Sequence, residues 1–140
     1  MNSLPRRVVA NIVNFVRGCE PRADIDLVLP VPLSPAKFRK REYNQSALLA
    51  KSLAKRIGAP CLPRLLERVR NTPTQTHLTV TGRKHNVKGA FGVPNPSAIR
   101  ARTILVIDDV MTTGATLGEV AATLKAAGAW RVWALAVARG

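Results

Sequence analysis

Hydrophobic positions along this chain fall into short continuous runs and into helically spaced stripes, a pattern typical of strands that alternate with helices. Residues Ile104–Ile107 are apolar and rich in β-branched side chains, as expected of a strand buried on both faces of a parallel sheet. After a polar segment, apolar residues return at helical spacing at Leu117, Val120, Ala121 and Leu124. Gly128 is the predicted stop of that helix.

The same two patterns, apolar runs and helically spaced stripes, predict the other strands and helices of the chain. Further strands are predicted at Ile25–Val31, Cys61–Leu66 and Arg131–Ala138, and a short extended segment at Gly89–Val93. Helices are predicted at residues 4–17 and from an Asn44 cap to Ile57, where Leu49, Leu53 and Ile57 form the buried side and Gly58 is the stop. Residues 67–82 are polar with little periodicity and are predicted to form a loop or lid, and Pro94–Ala98 a turn.

Strands and helices in this order predict a single α/β domain with a mostly parallel sheet and right-handed crossovers. A length of 140 residues with 46% hydrophobic content suits one packed core. We expect residues 1–24 to form an N-terminal helix and linker, and residues 25–140 the core. Arg6, Arg7 and Asn11 interrupt the first apolar stretch, so a soluble cytoplasmic protein with no membrane partner is expected.

The candidate chemistry lies where the buried strand at Ile104–Ile107 ends, since parallel strands end at binding crevices. Asp108 and Asp109 follow the strand at once, and carboxylates suit vicinal hydroxyls or a hydrated Mg²⁺. The next helix begins near Thr116, and its first turn offers unpaired N–H groups to an anion. Gly114 lets the backbone curl around such a ligand. A phosphate beside a diol describes a ribose 5-phosphate, although the acidic pair could instead only cap the helix.

Charge is distributed unevenly and widens the set of candidate partners. The net charge is +14, and residues 46–100 carry ten Lys/Arg against one acid. Such a field attracts nucleic acid or a multiply phosphorylated small molecule, unless it is only a solvated basic face. Cys19 and Cys61 are the only cysteines and have no CxxC spacing, which does not support a zinc site.

The segment Ile104–Thr116 resembles the phosphoribosyl-pyrophosphate (PRPP) signature of the type I phosphoribosyltransferases. The resemblance implies that Asp108 and Asp109 hold the ribose hydroxyls. It also implies that the 5-phosphate is held by Val110, Met111, Thr112, Thr113, Gly114, Ala115 and Thr116.

A second set of segments narrows this resemblance. From about residue 25 to its end the chain is similar to the ComF family, phosphoribosyltransferase-like proteins named after a bacterial competence operon. The similarity lies in Leu29–Ser34, Arg41–Gln45, Arg68 to Gln75, Arg83–Asn86 and Gly89–Phe91. Glu42 replaces the glycine usual in this family, and the cysteine-rich zinc-binding segment with which many relatives begin is absent from this sequence.

The family implies displacement of pyrophosphate from C1 of PRPP by a nitrogen nucleophile, with Mg²⁺ as cofactor held mainly through PRPP. Gln75 on the predicted lid is the candidate for contact with the acceptor, and His77 is a weaker one. Guanidinium groups suit phosphate bidentately. Pyrophosphate contacts are therefore expected from Arg41, Arg68 and Arg83, with Arg39 and Arg70 as further candidates. Backbone contacts to pyrophosphate are expected from the loop of Pro32, Leu33 and Ser34.

Three functions stay open on the sequence alone. The first is a phosphoribosyltransferase whose acceptor is unidentified. The second is a regulator that senses PRPP or a nucleotide without turnover, and the third is a competence-type accessory protein that binds single-stranded DNA. The N-terminal helix and the sheet edges could also serve a homodimer.

Overall fold

The computed structural model describes residues 24–33, 45–69, 87–111 and 114–139. The predicted helix at residues 4–17, the Asn44 cap and most of the predicted lid lie outside these ranges. The described helices and strands are β1 (Leu27–Pro30), α1 (Gln45–Ile57), β2 (Glu67–Arg68), β3 (Phe91–Gly92), β4 (Thr103–Met111), α2 (Ala115–Ala126) and β5 (Arg131–Arg139).

Strand β4 is the centre of the main sheet. In the described chain this sheet has the order β1-β4-β5, and both pairings of β4 are parallel. The register sets Pro30 opposite Ile107 on one side and Asp108 opposite Ala136 on the other. Parallel neighbours on both sides bring the carboxyl ends of the strands to one edge, as the sequence predicted for an α/β sheet.

The two helices cover opposite faces of this sheet, and side chains alternate between them. Leu27, Leu29, Ile104 and Val106 pack in one buried cluster with the α2 residues Leu117, Val120 and Leu124. Val28, Leu105 and Ile107 pack in a second cluster with the α1 residues Leu49, Ala50, Leu53 and Ala54. This two-sided burial explains why β4 begins as a continuous apolar run rather than as an alternating one.

Both predicted glycine stops are confirmed. Gly58 has φ +77° directly after α1, and Gly128 has φ +107° two residues after α2. Backbone in this left-handed region ends a helix at little cost only when the residue has no Cβ. Neither helix, nor any other in the described ranges, is long and apolar enough to cross a bilayer.

The prediction of a strand at Cys61–Leu66 is wrong. Cys61 forms one isolated parallel bridge with Val28, and the chain then enters a 3-10 turn at Pro63–Leu65. Pro63 has no N–H to donate to a sheet, and its fixed φ suits the first position of a turn. Cys61 is a free, half-buried thiol, and burial raises its pKa although Lys51 lowers it in part.

Two other predicted boundaries need correction. The segment predicted as a loop from residue 67 begins with strand β2, which pairs antiparallel with β3 in a separate two-stranded sheet. Strand β4 continues to Met111, so that Asp108 and Asp109 lie within the strand rather than in the loop after it. Pairing of Val110 with Ala138 and of Met111 with Arg139 supports this extension beyond the apolar run.

We expect Leu53→Ala to lower the free energy of unfolding by about 2–5 kcal/mol, because Leu53 is fully buried between α1 and the sheet. Leu48→Ala on the same helix is the matched control, since Leu48 is 36% exposed. Its loss should stay below about 1 kcal/mol. Urea unfolding followed by circular dichroism measures both, and equal losses would contradict the described packing of α1.

Candidate functional site

Two polypeptide segments meet at the carboxyl edge of the sheet. The N–H of Val31 donates to the carbonyl of Ile107 at 2.9 Å, which extends the pairing of β1 with β4 by one residue. Pro32 and Leu33 then leave β1 beside the point where Asp108 continues β4. The register alone therefore brings the predicted pyrophosphate loop next to the predicted ribose-binding carboxylate.

Asp108 is held by a serine from helix α1. The Ser46 hydroxyl donates to Oδ1 of Asp108 over 3.3 Å, and these two residues are 62 positions apart in the sequence. Ser46 is 2% exposed, whereas the Asp108 side chain is only partly buried. The carboxylate thus has one oxygen fixed from inside the protein while the residue still reaches the edge of the crevice.

Both helices begin at this same edge. Helix α1 starts at Gln45, one residue before the contact with Asp108, and α2 follows Gly114, whose φ of +79° lies in the left-handed region. The first turn of neither helix contains an acidic residue. The positive ends of both helix dipoles therefore face the crevice without a carboxylate of their own helix, an arrangement that favours anions.

Arg68 connects the small sheet to the loop after β1. Its Nε donates to the carbonyl of Pro32 at 3.3 Å, and its guanidinium carbon lies 4.8 Å from the centre of the Phe91 ring. The N–H of Val69 donates to the carbonyl of Ala90 at 2.7 Å and extends the pairing of β2 with β3. The predicted pyrophosphate residues Pro32 and Arg68 are thus in direct contact.

A pocket of about 280 Å³ opens beside the first turns of α2. The N–H of Gly89 donates to Oε2 of Glu119 at 3.1 Å, and this hydrogen bond connects the segment before β3 to helix α2. The pocket is lined by Val87, Lys88, Gly114, Ala115, Gly118 and Glu119. It therefore adjoins the residues predicted to hold the 5-phosphate.

The described part of the chain brings many of the predicted site residues to one edge. Those whose surroundings are described are Pro32, Leu33, Arg68, Asp108, Gly114, Ala115 and Thr116. Asp109, Val110 and Met111 are placed by the β4 backbone. Outside the described residues lie Ser34, Arg39, Arg41, Arg70, Thr112, Thr113, Gln75, His77 and Arg83.

Sequence reasoning missed two residues of this site. Ser46 precedes Leu49, Ala50 and Leu53 by three, four and seven positions, so it shares the buried face of α1. That spacing was a usable signal, because a serine in a buried stripe requires a polar partner. Phe91 was predicted as part of an extended segment and of a ComF-like motif but was not assigned to this site, and its pairing with Arg68 depends on the antiparallel register of β2 and β3.

The geometry matches known phosphoribosyltransferase folds. The chain superposes with a TM-score of 0.59 at 18% identity on glutamine PRPP amidotransferase from B. subtilis, over 93% of this chain and 26% of that chain. For purine phosphoribosyltransferase from Pyrococcus horikoshii the TM-score is 0.56 at 17% identity, over 95% and 70%. The fold is that of a type I phosphoribosyltransferase domain, as the sequence predicted.

Sequence comparisons identify the family to which the chain is similar within this fold. Residues 44–140 match the family model for the phosphoribosyl transferase domain. Competence protein F from Haemophilus influenzae is 35% identical over 114 residues, covering 79% of this chain and 50% of that protein. DNA utilization protein YhgH from Salmonella typhi is 38% identical over 112 residues, with 79% and 48% covered.

The chain therefore belongs to the phosphoribosyl transferase domain family and, within it, to the ComF family. It spans about half the length of the curated relatives it matches.

We expect Arg68→Met to lower the free energy of unfolding by about 1–2 kcal/mol, because it removes one hydrogen bond to Pro32 and the cation–π contact with Phe91. Arg64→Met is the matched control, since Arg64 is exposed on the 3-10 turn nearby. Its effect should stay within about 0.5 kcal/mol. Thermal or urea unfolding gives both values, and a neutral Arg68→Met would show that the contact does not stabilise the loop.

Proposed function

We propose that this domain binds PRPP with Mg²⁺ and transfers the phosphoribosyl group to a nitrogenous acceptor with release of pyrophosphate. The observation that supports it most directly is the position of Asp108. Its carboxylate lies at the edge of the sheet where β1 has ended, beside the Pro32 loop, and accepts from Ser46 at the start of α1. A hydroxyl-binding carboxylate at the same edge as the first turn of α2 suits the two ends of a ribose 5-phosphate.

In this proposal, different residues bind the ribose, the 5-phosphate and the pyrophosphate of PRPP. Asp108 and Asp109 accept hydrogen bonds from the ribose hydroxyls. The segment from Val110 to Thr116 holds the 5-phosphate at the start of α2, where the helix dipole favours negative charge. Pro32, Leu33, Ser34, Arg41, Arg68 and Arg83 form the pyrophosphate side, and Gln75 the acceptor side.

The carboxylates at this edge of the sheet are suitable ligands for magnesium that is bound together with PRPP. Carboxylate oxygen is a ligand that Mg²⁺ accepts, and Mg²⁺ commonly uses one or two carboxylates plus substrate phosphates. Among the described residues no three His, Cys, Asp or Glu side chains converge on one point. Asp108, with Asp109, would therefore contact an ion carried mainly by the diphosphate, and the ion would supply neutralisation of the leaving group.

The chemistry asked of the protein is positioning and charge stabilisation. The C1–O bond to pyrophosphate breaks, the acceptor nitrogen forms the new C1–N bond, and positive charge develops on the ribose ring between these events. Carboxylates near the ring stabilise that charge, and cationic groups stabilise the departing pyrophosphate.

Cys61 is a free thiol, as is usual in a reducing compartment, which suits a cytoplasmic location.

We expect Asp108→Asn to weaken PRPP binding by about tenfold or more, because hydrogen bonds to a charged group contribute about 1.5–3 kcal/mol. Asp24→Asn, at an exposed position before β1, is the matched control and should leave affinity unchanged. Isothermal calorimetry with PRPP and Mg²⁺ measures both. Folded wild-type protein that takes up no PRPP at millimolar concentration would refute the proposal.

Release of pyrophosphate separates an enzyme from a sensor. A transferase should release pyrophosphate from PRPP with at least one member of a panel of nitrogenous bases, and Asp108→Asn should lower that rate. Tight PRPP binding without release for any acceptor would favour the regulator that performs no transfer.

A second candidate is supported by the names of the relatives, competence protein F and DNA utilization protein YhgH. Lys51, Lys55 and Arg56 lie on the exposed face of α1, and the chain carries a net charge of +14. This face has the charge needed to contact the phosphates of single-stranded DNA.

If that candidate is right, binding of a fluorescent oligonucleotide should weaken steeply as salt rises, and Lys51→Gln with Lys55→Gln should weaken it further. Asp108→Asn serves as the control and should not weaken DNA binding, since removing a carboxylate does not reduce attraction to a polyanion. DNA binding that is lost with Asp108→Asn but kept in the lysine variant would contradict a separate basic interface.

A further inference from the structure

Ser46 is the only polar residue among the described ones that is buried, and its hydroxyl points at the candidate site. It is 2% exposed and donates to Oδ1 of Asp108 over 3.3 Å. As the second residue of α1, Ser46 reaches a carboxylate on the central strand of the sheet.

The sheet fixes the Asp108 backbone but not its carboxylate. Pairing with Ala136 on β5 holds the main chain, and β1 pairs with the preceding residue, Ile107. Neither backbone pairing restricts the rotation of the aspartate side chain. Ser46, anchored on a different element, donates to the carboxylate and restricts this rotation.

Helix α1 is well suited to carry that donor. Leu49, Ala50 and Leu53 anchor the same face of the helix against the sheet, so the Ser46 Cβ has little freedom to move. Ser46 is buried, so water does not compete for its hydroxyl. Its separation of 3.3 Å is long, as catalytic hydrogen bonds commonly are before substrate binds.

We propose that Ser46 is a positioning residue, whose hydroxyl orients the Asp108 carboxylate toward the ribose hydroxyls of the phosphoribosyl donor. This inference rests on the proposed function. It also gives α1 a role beyond packing, because the fixed position of the helix restrains the side chain of Asp108 on β4. A purely structural alternative is that the contact only attaches α1 to the sheet.

The test is a double-mutant cycle on PRPP affinity, measured by calorimetry with Mg²⁺. Ser46→Ala should weaken PRPP about tenfold in the wild-type background, the loss expected for a hydrogen bond to a charged group. In the Asp108→Ala background the same substitution should change affinity by less than about twofold, because no side-chain oxygen remains for the serine to hold. Ser52→Ala, at an exposed serine of the same helix, should have no effect in either background.

Two probes separate positioning from general damage. Ribose 5-phosphate should lose affinity with Ser46→Ala as PRPP does, whereas inorganic pyrophosphate, which has no ribose, should bind as in the wild type. Equal losses for both probes, or additive losses in the cycle, would overturn the inference. If Ser46→Ala does not fold, Ser46→Cys keeps the side-chain volume with a poor donor and is judged by the same criteria.

The outcomes also separate this inference from the proposed function. If wild-type protein binds PRPP and Ser46→Ala binds it equally well, the positioning role is wrong and the donor site stands. If wild-type protein binds neither PRPP nor ribose 5-phosphate, the proposed function and the positioning role both fall. Coupling between Ser46→Ala and Asp108→Ala in the free energy of unfolding would then identify the contact as structural only.

Discussion

Parallel pairing of β4 with a strand on each side is the constraint on which the rest of this structure depends. Because β1 and β5 run in the same direction as β4, their carboxyl ends share one edge, and the helices that follow β1 and β4 begin at that edge. The apolar residues Ile104–Ile107 make this arrangement stable by filling both faces of the sheet. Asp108 is the first polar side chain after that run and therefore lies at the edge where two helices begin.

The small antiparallel sheet of β2 and β3 connects the loop after β1 to a distant part of the chain. β2 and β3 contribute only two residues each, yet their register sets Arg68 opposite Phe91 and lets the guanidinium reach the carbonyl of Pro32. The loop after β1 is thereby attached to a segment more than thirty residues away. Local sequence does not encode this contact, since a two-residue strand is stabilised by its partner and has no periodicity of its own.

The sequence was most informative where the local signals agreed. Apolar periodicity and a terminal glycine predicted the last turn of both α1 and α2 closely, because burial and left-handed backbone act on adjacent residues. It failed where two signals competed. The apolar character of Cys61–Leu66 suggested a strand, but Pro63 determined the local structure and began a turn. The polar Asp108 and Asp109 suggested a loop, but pairing with β5 kept them in β4.

The proposed site divides recognition between two kinds of group, and this division limits where a nucleic acid could bind. The starts of α1 and α2, whose first turns contain no acidic residue, favour anions. In the proposed function the carboxylates on β4 accept hydrogen bonds from the hydroxyls of the ligand. Only eight acidic residues occur in the chain, and two of them adjoin here. A carboxylate held in place by a buried serine repels the continuous phosphates of a polynucleotide, but suits a small ligand with a diol between its phosphates. Any DNA-binding surface is therefore expected on an exposed basic face such as that of α1, separate from the crevice at the end of β4.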